Sequence, residues 1–132
     1  MFTTTVKNII MDAVFGGNGG AALPTGYYVG LSTTAPSADG NNISEPASSS
    51  GYVRLTVDFS EASGGKIQNS GRLEFPAFTE DAGVVTHYVI FDQNGAPFWF
   101  DKLARSRSLE TESVLAFPAG SIVISLTDGD MA

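Results

Sequence analysis

An all-β fold, mainly antiparallel, follows from three observations. The phrase Leu73-Glu74-Phe75-Pro76-Ala77 returns as Leu115-Ala116-Phe117-Pro118-Ala119, each time running into a proline that has no N–H to give a sheet ladder. Residues 52–59 alternate apolar and polar side chains, the pattern of a strand with one buried and one wet face. Short runs rich in β-branched and aromatic residues are separated by Gly, Pro, Asn and Ser; about eight of them follow a single helix, which is the spacing of a β-sandwich or barrel.

The helix is expected over about residues 5–15. Val6, Ile9, Ile10, Ala13 and Val14 recur at helical spacing, a threonine among Thr3, Thr4 and Thr5 can cap its start, and Gly16-Gly17 can close its end. A glycine-rich connection then leads to Tyr27-Tyr28-Val29-Gly30-Leu31-Ser32, a strand by its aromatic and β-branched content. Residues 33–50 are mainly Ser, Ala, Pro, Asn and Gly with almost nothing to bury, and read as a long surface loop.

From 52 to 59 the alternation assigns Val53, Leu55, Val57 and Phe59 to the core and Tyr52, Arg54, Thr56 and Asp58 to solvent. Short strands follow at 66–69 and 72–75. Residues 84–92 and 97–103 flank Gln93-Asn94-Gly95-Ala96, where Asn-Gly is a strong hairpin signal. Strands at 113–117 and 121–126 complete the set, and 127–132 read as a polar tail. The doubled Leu-x-Phe-Pro-Ala phrase marks either two equivalent corners of a pseudo-symmetric sandwich or two strands that merely end alike.

The chain has 132 residues, the length of one domain, 1–132. Its 42% hydrophobic content suits a packed core, while 16% charged residues is low against the usual level of about a quarter. A sparsely charged surface is often one that meets other protein. With 7 Lys and Arg against 14 Asp and Glu the formal charge is −7, a field that repels phosphate backbones and argues against nucleic acid. There is no cysteine, hence no disulfide framework or thiol nucleophile. The N-terminal residues carry neither a basic stretch nor an apolar block, and no apolar run reaches the ~20 residues that span a bilayer. A protein made in a cytoplasm, with no membrane partner, is expected.

Chemistry-bearing residues are sparse. His87 is the single histidine and sits among apolar strand residues, which favours a structural part over a catalytic one. Glu80-Asp81 and Glu110-Thr111-Glu112 could supply a general acid and base, yet they fall in turns where acids are ordinarily solvated. Asp39-Gly40-Asn41-Asn42 and Asp128-Gly129-Asp130 resemble fragments of calcium loops without the full ligand set, and read as Asx turns. Gly16-Gly17-Asn18-Gly19-Gly20 lacks the lysine of a phosphate loop. The expectation is no catalytic residue, no cofactor and no metal.

What remains is surface. In Phe98-Trp99-Phe100 strict alternation sends Phe98 and Phe100 to one face and Trp99 to the other. Trp99 can then pack under the helix, enter a subunit interface, or stack a sugar with Tyr27, Tyr28 or Tyr52. Arg105-Ser106-Arg107, the one basic cluster, reads as a salt-bridge site to a neighbour. Trp99, Tyr27, Tyr28, Arg105 and Arg107 are therefore the candidate subunit or receptor interface.

In order and spacing, several segments together resemble the small tail fibre-like virion structural proteins of tailed bacteriophages. They are the helix with Asn8 and Asp12, Tyr28-Val29-Gly30-Leu31-Ser32-Thr33-Thr34-Ala35-Pro36, Gly51-Tyr52-Val53-Arg54, Phe75-Pro76, Val85-Thr86-His87-Tyr88 running into Phe91-Asp92, and Pro118-Ala119-Gly120. The resemblance spans nearly the whole chain. It implies a non-enzymatic virion component without cofactor, partnered by other tail, baseplate or major capsid proteins. No receptor motif carries over. A chain of this length without a repetitive shaft reads as a knob, collar or capsid-surface subunit. Tail fibre or baseplate association is expected first, head decoration (cement) second, and a carbohydrate-binding module for a host surface glycan third. By analogy the subunit is expected to form a homo-oligomer, a trimer, through the loop at 33–50 and the helix.

Overall fold

A computed structural model describes residues 1–126; the expected polar tail, with Asp128-Gly129-Asp130 in it, lies outside the described residues. The order is α1 (Thr4–Phe15), β1 (Tyr27–Ser32), β2 (Leu55–Val57), β3 (Lys66–Gln68), β4 (Leu73–Glu74), β5 (Gly83–Asp92), β6 (Pro97–Leu109), β7 (Ala116–Phe117) and β8 (Val123–Ser125). All strand pairs are antiparallel. They form one four-stranded sheet, β2-β1-β5-β6, and two ladders, β3-β8 and β4-β7. Of the two expected all-β forms no barrel closes: β2 and β6 remain the outer strands of the large sheet.

The core lies between that sheet and the ladders. Val29 and Leu31 of β1 and Tyr88 and Ile90 of β5 meet Phe75, Leu115, Phe117 and Ile122 from the other side. The doubled phrase forms a pair with itself. Leu73 stands opposite Phe117, Glu74 opposite Ala116, and the Phe75 N–H donates to the Leu115 carbonyl at 2.9 Å. The two copies are thus related by a local twofold, with the Phe75 and Phe117 rings 6.4 Å apart in the core. Each proline ends its strand where the ladder ends.

The hairpin forms where Asn-Gly predicts it. Asp92 sets the turn: its Oδ1 accepts from the Asn94 and Ala96 N–H groups, both at 2.9 Å, and Gly95 takes φ +84°. The two strands it joins are long, and β6 continues well past the expected end at 103.

Four expectations need correction. The helix start is not capped by a threonine side chain; Thr3 Oγ1 instead donates to the Pro97 carbonyl at 2.9 Å, tying the helix to β6. At the other end Gly16 closes the helix in the left-handed conformation, but Val14 is 67% exposed, so the apolar stripe outruns the core. Next, Tyr52 is buried and Val53 exposed, the reverse of the alternation. Residues 52–54 precede the ladder, entering from the left-handed Gly51, and the Tyr52 ring stacks on Phe75 at 6.0 Å.

Third, Phe98 and Phe100 do not share a face. Ile90 pairs with Trp99 and Phe91 with Pro97, so Phe98 is the extra residue of a β-bulge. The bulge turns Phe98 to the same core as Trp99, while Phe100 packs with Val89 and Phe91 on the sheet's second face. Fourth, the loop at 33–50 does bury side chains. Ile43 packs on that second face, and Pro36 and Pro46 are buried. Lacking a strand or α-helix, the loop still covers the sheet, knit by Thr33 N–H to Ser44 O at 2.8 Å and Asn42 Nδ2 to Ala35 O at 2.8 Å.

Candidate functional site

The five candidate residues are distributed over three places. Trp99 is buried beneath the N-terminal segment, its ring edge-on to Phe2 at 4.8 Å and its Nε1 donating to the Tyr88 hydroxyl at 3.1 Å. This is packing under the helix, with Val6, Ile9 and Tyr27 lining the same apolar groove of about 200 Å³. Tyr27 is half-buried between Phe59 and Phe98, and burial, then the Asp92 charge, raises its phenol pKa. Leu23 closes the groove and is 62% exposed.

Tyr28 points to the opposite face from Tyr27, as period two requires. With Trp99 buried and Tyr52 stacked on Phe75, the tyrosines and the tryptophan do not line up on an open sheet face. On the Tyr28 side the structure builds a cluster that the alternation did not reveal. Glu45, from the loop, receives Arg54 Nη2 at 2.5 Å and the Tyr52 hydroxyl at 2.6 Å. That hydroxyl in turn accepts the Leu31 N–H at 3.0 Å, and the Arg54 guanidinium lies 3.6 Å from the centre of the Phe91 ring. Burial, reinforced by the bond to Glu45, drives the Tyr52 phenol pKa upward, and the same carboxylate raises that of Arg54. The cluster fastens the loop to the sheet. A lone glutamate in a loop almost free of charge was its only signal in the sequence.

Arg105 and Arg107 line a second groove, of about 220 Å³, between β6 and the segment around β7. β6 is irregular here: His87 pairs with Lys102 and Val85 with Arg107, leaving Leu103, Ala104, Arg105 and Ser106 opposite Thr86 alone. The bulge brings Lys102 into the groove beside the two arginines, above a floor that includes Leu115 and Phe117. The ion pairs among the described residues are Arg54–Glu45 and Arg72–Glu74, so none of these three cations is neutralised by a carboxylate. Tyr88 reaches the groove from below, its phenol pushed up to about 12 by burial. Sequence reading missed Lys102 and Tyr88 because the bulge that collects them leaves no mark in the alternation.

The groups considered for chemistry are used structurally. His87 is buried, its Nδ1 2.8 Å from Thr86 Oγ1, and burial, then the Lys102 charge, lowers its pKa. The two acidic turns do meet, but through Thr111 N–H donating to Asp81 Oδ1 at 3.0 Å, while Glu80 accepts from the Ser49 hydroxyl. Asp39 accepts from Ser37 Oγ and from the Asn41 N–H within its own turn, which lowers its pKa. Among the described residues no three His, Cys, Asp or Glu side chains gather as a metal would need, and no helix is long and apolar enough to cross a membrane.

An open antiparallel sheet backed by two short ladders defines the chain as a β-rich protein of sandwich type, not a closed barrel. Over residues 1–125 the chain matches the family described as Podophage GP4 fiber I protein gp80, and it belongs to that family. It is accordingly a phage fibre-type structural protein and a component of the virion. No curated protein matches the chain.

Proposed function

We propose that this chain is a non-enzymatic, tail fibre-associated subunit that assembles through symmetric contacts with copies of itself and with neighbouring virion proteins. The family supports the structural virion part. The observation that carries the assembly part is the apolar end of α1, where Val14 is 67% and Phe15 75% exposed, with Leu23 exposed nearby in sequence. Two adjacent uncovered apolar side chains of this size at a helix end support a contact surface there. The −7 charge opposes close approach of copies, so burial at such a patch has to outweigh a screened repulsion.

Light scattering on the purified chain tests this. The wild type is expected to elute as a defined oligomer and the double variant Val14→Ser, Phe15→Ser at a lower mass with unchanged circular dichroism. A wild type that stays monomeric at high concentration would remove self-assembly through this face.

A further inference from the structure

The groove at the β6 bulge gathers positive charge on an otherwise acidic protein. Three of its 7 basic residues, Lys102, Arg105 and Arg107, line this one depression, and no carboxylate among the described residues pairs with them. Like charges held together without counter-charge raise the free energy of the empty protein and lower that of an anion-bound one. Asp101 stands next to Lys102, its Oδ1 accepting the Lys102 N–H at 2.8 Å, and is the acidic neighbour that an anion in the groove must outcompete.

Three further features specify the ligand. The four bulge residues 103–106 have no ladder partner in β5, so backbone groups stand beside the cations, as in anion-binding concavities. Tyr88 lines the groove from below, anchored by its hydroxyl, which accepts from Trp99 Nε1 at 3.1 Å. The floor of Leu115, Phe117 and Pro118 is apolar. Cations above an apolar floor within about 220 Å³ suit a small ring that carries a carboxylate.

An extended acidic peptide fits less well, because the bulge interrupts the continuous edge that an added strand needs. Nucleic acid is opposed by the overall charge. We infer that the groove formed by the β6 bulge and the β7 segment binds an acidic sugar, its carboxylate held by Arg105 and Arg107. This site is separate from the apolar end of α1 and stands or falls independently of the assembly reading.

The test is calorimetric titration of the whole chain with an oligogalacturonate, against a neutral galactose oligomer and a polyglutamate peptide of matched charge. The oligogalacturonate is expected to bind, the neutral oligomer not, and affinity to fall as salt is raised. Arg105→Gln with Arg107→Gln weakens binding by about tenfold or more, the loss of charge-assisted hydrogen bonds. Lys66→Gln, outside the groove, leaves it unchanged. All three residues are exposed, so thermal melts of the variants should match the wild type. Failure of the oligogalacturonate to bind, equal binding to the double variant, or tighter binding of polyglutamate would each overturn the proposal.

Discussion

At Gly30 a methyl group would lie 2.6 Å from the Tyr52 hydroxyl and 2.9 Å from the Phe91 ring, so the strand keeps a residue that β-propensity disfavours. Gly30→Ala is expected to lower stability in chemical denaturation by about 1–3 kcal/mol, the cost of overpacking. Asn69 is a second single-residue hinge of the fold. Buried in the core, it accepts the Ile122 N–H at 2.8 Å and donates from Nδ2 to the Gly71 and Pro118 carbonyls at 2.8 and 3.0 Å. Asn69→Ala removes the partners of the Ile122 N–H and the Gly71 carbonyl, the Pro118 carbonyl keeping the Ser121 N–H, and should cost about 1–3 kcal/mol. Neither position was legible in the sequence, because each depends on what distant segments bring against it.

His87 supplies a pH dependence at the same scale. Burial and Lys102 hold its folded pKa below the ordinary value, so the unfolded chain binds the proton first as pH falls. The unfolded state then carries more protons, and stability drops as pH is lowered through about 6.5. Denaturation midpoints taken between about pH 7 and pH 5 should fall for the wild type and fall less for His87→Gln.

Elements were legible where a local rule fixes them. β1 follows from its aromatic and β-branched run, and the β5–β6 hairpin from Asn-Gly set by Asp92. Asp92→Ala should remove the one acceptor that serves two N–H groups and destabilise the protein by about 1–2 kcal/mol, as measured by thermal or urea unfolding. Elements were misread where a bulge shifts the period. One residue at Phe98 was enough to put Phe98 on the face of Trp99 and away from Phe100, and four at 103–106 hid the basic groove. The loop at 33–50 was misread for a different reason: its few apolar residues, Ile43 above all, cover a sheet face that is itself small. Hydrogen exchange is expected to show the Thr33 and Ser44 amides protected, since both have acceptors.

For the whole molecule, fold class and virion membership were both readable, the first from turn and strand grammar and the second from the order of segments. The candidate interface was readable only in part. Trp99 and Tyr27 face the groove under α1, Tyr28 the opposite side of the sheet, and Arg105 and Arg107 a separate groove, so the five do not form one surface. The exposed apolar end of α1, proposed for assembly, contains none of the five, and the groove proposed to take a ligand is lined by two of them, Arg105 and Arg107.

The most direct test of this account is the number of copies per purified virion, obtained by quantitative mass spectrometry against the major capsid protein. A fibre-associated subunit is expected at a small, fixed multiple set by the symmetry of the tail, far below the capsid protein. A number approaching that of the capsid protein would contradict it and identify a head-decorating subunit.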